Sequence, residues 1–591
     1  SGTNMESIVT EYSNRAQAYR AMQDATVRNS NSYLWKDQDK PNSLPETILP
    51  AGGFYNTQQR SMESYDFRAS ATYNTTIKDD HIINTYLGTE VNSQDRIFRW
   101  NDGWGMQYDS DLTPFWDYRA FKRLAEKNWD YYGLSKTYGR SAAFFANATY
   151  SYKGRYTLTG TTRYEGSNRL GRSRKARWLP TWNVSGAWNA HAEDFFEKQN
   201  LLSHFTLKAS YSLVGVAPSW VTNSRAIILS RAAWRPTAGQ SENRNYISSF
   251  ENEDLTYEKK HELNFGLDMG MLHNRVNIAA DIYWRNNFDL IGSAYTIGGT
   301  RWGNVAAMKS HGLELSVSTK NIQTKDFSWT TDFIFGSTFN KVTQLDTKRH
   351  MFNFLTGNGF ARQGYPVRSL FSIPFTGLDD EGFPTFMING KKVTRYNYGD
   401  INFQQIEDLD FLKYEGSSEP IYNGSLGNVF TFKNFKLNVF VTYSGGNKLR
   451  LDPSFYSGYS DLWATPKEYA NRWTRLGDEA KTDIPVIAAV RDHFNYSNLG
   501  LGYAAYNYST ARVADGSFVR LKEISLTYTL PTNLVKRLGF LKSASLKLQA
   551  TNLALLYSDK KLYGQDPEFF RSGGVAAPLP KQVTATVHIG F

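Results

Sequence analysis

The chain contains no cysteine. Disulfides, thiolate catalysis and cysteine-ligated metals are therefore excluded, while the compartment is left open. It also lacks any apolar run of about 18 residues, so no segment reads as a membrane-spanning helix. No linker, charge run or low-complexity tract divides the 591 residues, which points to one large unit rather than several soluble domains. Signatures of chemistry are missing as well. The nine histidines are dispersed, without an H-E-x-x-H pair, and there is no phosphate loop. Asp515-Gly516-Ser517 has no nucleophile elbow around it, and Asp379-Asp380-Glu381-Gly382 lacks the spacing and the later glutamate of a calcium loop. Both read as turns. No catalytic residue, metal ligand or cofactor is expected, and the chain is not expected to be an enzyme.

What the sequence does hold is aromatic residues, 15% of the chain, against a mean hydropathy of −0.52. The formal net charge is +11, from Lys and Arg that are scattered rather than clustered. Scattered charge argues against nucleic acid. It leaves a surface facing anionic lipid or lipopolysaccharide phosphates, or a lumen for an anionic solute.

The dominant pattern is alternation with a period of two. Tyr156, Leu158, Gly160, Thr162 and Tyr164 share one face, and Thr157, Thr159, Thr161 and Arg163 the other. The same holds for Phe205–Leu213, Leu263–Met271 and Val276–Trp284. The last strand sets Val583, Ala585, Val587, Ile589 and Phe591 against Gln582, Thr584, Thr586 and His588. Half-apolar strands without apolar runs are what a transmembrane barrel requires, with lipid outside and a polar lumen inside. Very short polar turns (Lys78-Asp79-Asp80, Lys153-Gly154-Arg155, His273-Asn274-Arg275, Lys433-Asn434) alternate with long segments at roughly 102–138, 215–252, 346–419 and 453–507. That segregation matches periplasmic turns and extracellular loops. The fold expected is therefore all-β, a large antiparallel transmembrane β-barrel spanning 49–591 with roughly 16 to 18 strands in this chain. Residues 1–48 are undecided between strand and loop, and Ile8–Arg28 reads as helix or as strand and loop. A short helix is expected after Thr465 and Pro466, ending at Gly477, with Tyr469 and Trp473 on one face. The chain starts at Ser1 without a signal peptide, so export implies that a leader has been removed. A closed barrel of even strand number also implies strands before Ser1.

The segment Ala511-Arg512-Val513-Ala514-Asp515-Gly516-Ser517-Phe518-Val519-Arg520-Leu521-Lys522-Glu523-Ile524-Ser525-Leu526-Thr527-Tyr528 resembles the near-terminal signature of SusC/RagA-type TonB-dependent transporters. Ala550-Thr551-Asn552-Leu553 and Tyr563-Gly564-Gln565-Asp566-Pro567-Glu568 agree with it, as do Asn471-Arg472-Trp473-Thr474 and Gly377-Leu378-Asp379. Arg163, Gly166-Ser167-Asn168-Arg169-Leu170-Gly171 and Trp178-Leu179-Pro180 resemble a further family segment, with Glu165 and Leu170 as departures. The resemblance covers the chain from about Tyr65 onward. It implies a complete barrel of about 22 strands, a plug domain absent from this chain, and the bacterial outer membrane. It also implies import of large nutrients, with glycan or oligosaccharide favoured and oligopeptide as the other option. The partners implied are a SusD-like surface lipoprotein lid and the TonB complex, reached through the missing plug. A terminal aromatic such as Phe591 suits the assembly signal of such barrels.

Candidate ligand-binding residues are the loop aromatics Trp104, Trp116, Tyr131, Trp220, Trp234 and Trp463, whose faces stack on sugar rings. Loop packing and interface anchoring account for the same residues. Arg169, Arg172, Arg174, Lys175 and Arg177 form the densest basic cluster, readable as a phosphate contact or a solvated loop. A passive porin-like channel, a barrel enzyme and an adhesive display surface are the other functional readings. A plug in the precursor separates the first of these from an energised importer.

Overall fold

The computed structural model describes residues 2–9, 53–107, 130–196, 201–219, 243–296, 299–346, 349–459, 465–537, 541–570 and 579–591, with short stretches among 34–47, 111–118 and 221–231. A 17-stranded antiparallel sheet dominates. In chain order its long strands are β1 Gly2–Val9, β2 Gly53–Ile77, β3 His81–Gln107, β4 Tyr132–Tyr152, β5 Tyr156–Ser167, β6 Trp178–Asn189, β7 Leu202–Val216 and β8 Glu258–Met271. They continue with β9 Val276–Thr296, β10 Gly299–Gln323, β11 Phe327–Leu345, β12 Tyr422–Phe432, β13 Phe435–Gly445, β14 Phe518–Thr529, β15 Ser543–Tyr557 and β16 Gln582–Gly590. A two-residue strand, Thr113–Pro114, adds to the end of β3. Each long strand pairs with its neighbour in sequence, so the sheet is an up-and-down meander. No helix among the described residues is long and apolar enough to cross a membrane.

The sequence pattern explains the two faces. Leu158, Val184, Phe265, Ile282 and Trp284 project outward and are exposed, as lipid-facing side chains are. Thr159, Ser185, Lys208, Asp268 and Asp281 sit on the opposite face of the same strands. Turns gather at one end. Lys78, Asp79, Lys153, Leu272, His273, Asn274 and Lys433 there all have positive φ, which lets two or three residues reverse a strand. The long connections leave from the other end.

Several expectations change. The connection near 102–138 is shorter, because β3 runs to Gln107 and β4 begins at Tyr132. β2 and β3 have 25 and 27 residues, and the β9–β10 pair 21 and 25. Spanning takes only about 9–11 residues, so these hairpins rise well clear of the bilayer. Outside the membrane both faces meet water, the alternation weakens, and the sequence reads as loop. The helix expected from Thr465 to Gly477 is one 3₁₀ segment, Lys467–Asn471, with Pro466 as its N-cap. Trp473 leaves it, its N–H bonding Ile484 O at 3.0 Å, and Gly477 instead precedes a second turn at Asp478–Ala480. Real helices lie further on, at Val490–Asn495 and Leu499–Asn507. In the N-terminal segment, residues 10–33, which contain most of Ile8–Arg28, lie outside the described residues.

Candidate functional site: lumen wall and loop cap

The inner face carries charge, part of it in ion pairs. Glu262 binds Lys260 at 2.6 Å and Arg285 at 3.0 Å, and Lys208 pairs with Asp268. Arg163 lies 2.6 Å from Glu165 and 3.5 Å from Glu90. Around Arg163 the β2–β5 wall builds a mixed cluster. Phe145 sits under Arg68 and Arg163, 5.1 and 5.9 Å from its ring centre, and beside Tyr86 at 5.5 Å. Arg68 donates to the Tyr86 hydroxyl at 3.0 Å. Gly88 makes room, since a Cβ there would meet the Phe145 ring at 2.4 Å. Aromatic faces ringed by guanidinium and carboxylate groups can stack on a solute and hydrogen-bond its polar groups. Sequence reasoning placed Arg163 in a motif but missed Arg68, Tyr86 and Phe145. The signal was there: all lie on the polar side of the alternation.

Beyond the loop end, two long connections fold together. Residues 346–421 and 446–517 share one core that includes Met351, Phe371, Ile373, Phe386, Tyr398, Phe455, Tyr503 and Tyr506. Ile373 N donates to Tyr508 O and Thr510 N to Ile373 O, each at 3.0 Å. Arg450 is the pin. Its guanidinium donates to Phe371 O (2.6 Å), Ser372 Oγ (2.9 Å) and Ser509 O (2.7 Å), and burial pushes it down to about 10. Burial also pushes the phenols of Tyr398, Tyr503 and Tyr506 up, so they stay neutral donors and packing groups. Arg512 binds Glu468 at 2.6 Å and lies 4.7 Å over Phe455. The third connection, from Ser558 onward, joins this body. Arg520 grips both oxygens of Asp566, at 2.6 and 2.7 Å, and Leu562 and Phe570 pack on Leu449, Leu451 and Ala514.

The turns are as the sequence reads. Asp379 Oδ1 accepts from the N–H groups of Glu381 and Phe383, and Gly382 has φ +82. Arg395 neutralises the acidic turn, 2.7 Å from Asp379 and 3.1 Å from Asp380. Asp515 Oδ1 accepts from Ser517 N at 2.7 Å. Among the described residues no group of three or more His, Asp or Glu is arranged to hold a metal.

A second junction joins the connections at 168–177 and 217–257. Leu170, Val221, Leu255, Tyr257 and Ile291 form its core, and Gly171 N donates to Leu255 O at 2.8 Å. A Cβ on Gly171 would lie 2.0 Å from Glu253 O. Gly171→Ala is therefore expected to part the junction. Limited proteolysis should speed cleavage within 168–177 while the heat-modifiable mobility of the barrel on SDS gels stays unchanged.

Residues 6–451 match the family described as TonB dependent receptor-like, beta-barrel. The chain belongs to that family. TonB-dependent receptor P3 of Formosa agariphila is 26% identical over 446 residues, 72% of this chain and 41% of that one. TonB-dependent receptor SusC of Bacteroides thetaiotaomicron is 25% identical over 461 residues, 75% of this chain and 42% of that one. The RagAB peptide transporter shares the fold, with a TM-score of 0.71 at 22% identity over 93% of this chain and 58% of the other. The receptor barrel is thus of the SusC/RagA type and belongs to the bacterial outer membrane. It spans about half the length of the curated relatives it matches.

Of the candidate aromatics in the receptor barrel, two lie among the described residues. Tyr131 is exposed just before β4, its ring 5.1 Å from that of Tyr132. Trp104 lies in β3 opposite Phe54, with only its backbone described. Trp116, Trp220, Trp234 and Trp463 lie outside the described residues. The basic cluster at 169–177 is partly neutralised, with Arg172 bound to Glu251 at 2.7 Å. Phe591 follows β16 directly and is exposed.

Proposed function

We propose that the chain is the barrel of a TonB-dependent importer of large nutrients across the outer membrane. It works with a SusD-like surface lipoprotein as lid and draws energy from the TonB complex through a plug domain. The observation that carries this reading is the family match over residues 6–451, joined to a wall whose inner face is polar and aromatic. Glycan or oligosaccharide is the favoured cargo, because Phe145 and Tyr86 with their flanking Arg68 and Arg163 offer a ring-stacking, hydroxyl-binding surface. Oligopeptide is the second reading, supported by the fold shared with a peptide transporter.

The test is uptake in a strain lacking the gene, complemented with the parent or with Phe145→Ala. Labelled oligosaccharides and oligopeptides are supplied separately, with and without a functional TonB complex. Oligosaccharide uptake that needs TonB and falls about tenfold in Phe145→Ala supports the proposal. TonB-dependent uptake of peptide alone replaces the cargo. Uptake that persists without TonB marks a passive pore and overturns the reading.

A further inference from the structure

Two lysines face each other on the outside of the wall. Lys309 on β10 and Lys341 on β11 are direct cross-strand partners, and both are exposed. The alternation fixes their side. Two residues nearer the bilayer, His311 and Phe339 are partners on the same face, with rings stacked at 5.4 Å. Trp284 pairs with His311 and is 48% exposed. Below them the rows become apolar, with Ile282 opposite Leu313, Ala280 opposite Leu315, and Leu315 opposite Phe335. Tryptophan and other aromatics collect at the membrane–water interface. The lysine pair therefore stands one step above that belt, at the loop end, at the depth of outer-leaflet head groups.

Like charges directly opposite on neighbouring strands destabilise a sheet unless something lies between them. Among the described residues neither lysine has an ion-pair or hydrogen-bond partner. Lys259, on the same face, is bound to Asp289 at 2.7 Å, so that acid is already engaged. Cross-strand partners on one face, the two ammonium groups carry six N–H donors within reach of one anion above an apolar slope. An anion joined to hydrocarbon fits both halves of the surface, and a free anion fits only one.

We infer that Lys309 and Lys341 clamp a phosphate on the head group of an outer-leaflet glycolipid, whose acyl chains lie on the Ile282–Leu313–Leu315–Phe335 slope. The site is on the lipid side of the wall and is independent of the cargo.

The test uses the protein purified in detergent and exchanged into lipid A-free micelles, with retained or rebound lipid A measured by mass spectrometry. Lys309→Gln/Lys341→Gln should bind lipid A about tenfold more weakly, as expected for losing two charge-assisted contacts. Lys433→Gln, at the turn end of the wall, should bind like the parent. Lys309→Arg/Lys341→Arg keeps the charge and should also bind, which separates loss of the clamp from disturbance of the strands. Heat-modifiable mobility confirms that each variant is folded. Equal binding by the parent and the glutamine variant overturns the site. Equal binding of dephosphorylated lipid A by the parent overturns the phosphate contact. Full displacement by inorganic phosphate reassigns the clamp to the free ion.

Discussion

Replacing Arg520 by methionine is expected to release the connection between β15 and β16 from the cap and to cost about 3–5 kcal/mol locally. Arg520 and Asp566 are both almost completely buried, and the guanidinium holds both carboxylate oxygens. Removing one partner leaves the other charge stranded where water cannot reach it, and that stranded charge sets the size of the loss. Glu568, 3.3 Å from Arg520, is a second carboxylate and adds repulsion rather than relief once the guanidinium is gone. Hydrogen exchange is the direct measurement. Amides of Lys560–Phe570 should lose roughly a hundredfold or more in protection, while those of β15 keep theirs. The double variant Arg520→Met/Asp566→Leu removes both charges and should recover most of the protection. If the double variant is as loose as the single, the ion pair is not the fastening.

The second large effect is expected from Phe371→Ala. Phe371 has no exposed surface and packs edge-on against Phe354 and Tyr365, with ring centres at 5.9 and 5.1 Å. Its carbonyl also receives Arg450. Truncating a buried phenylalanine costs about 3–5 kcal/mol, because the cavity closes only partly. The informative readout is distance along the chain. Since residues 346–421 and 446–517 share one core, protection should fall in Leu499–Asn507 as well as around Phe371 itself. Loss confined to 346–421 would mean that the two connections fold separately.

The wall was legible in the sequence because each spanning strand lies between two unlike solvents. The Tyr156–Arg163 and Val583–Phe591 alternations needed no tertiary knowledge, and the structure places both as read. The cap was not legible, because its apolar residues follow no period. Leu499–Asn507 shows the difficulty. Gly500 and Gly502 are poor helix formers, yet Gly502 is required where Tyr398 closes on it, and a Cβ there would meet that ring at 2.3 Å. The helix is made by its neighbour rather than by its own sequence. The expected helix at 465–477 failed in the opposite way. Pro466 and Gly477 are good local stop signals, but Trp473 N is drawn off by Ile484 O before a second turn can form. The family segments at Phe518–Leu521 and Asp566–Glu568 were visible as separate strings. That Arg520 in one holds Asp566 in the other was invisible, because the partners stand 46 residues apart. Of the candidate aromatics, Trp116, Trp220, Trp234 and Trp463 lie outside the described residues, and a loop tryptophan carries in sequence no sign of which way it faces.

The cap's division between two connections bears on how such a chain is built. Phe375 N and Thr510 Oγ1, joined at 3.2 Å, are 135 residues apart, with β12 and β13 threaded between them. The shared core draws on both connections, 13 of its buried residues from the first and 6 from the second, and the entropy of closing so long a loop is recovered only once the intervening strands stand in register. The two connections are therefore expected to set as one body only after β12 and β13 have paired.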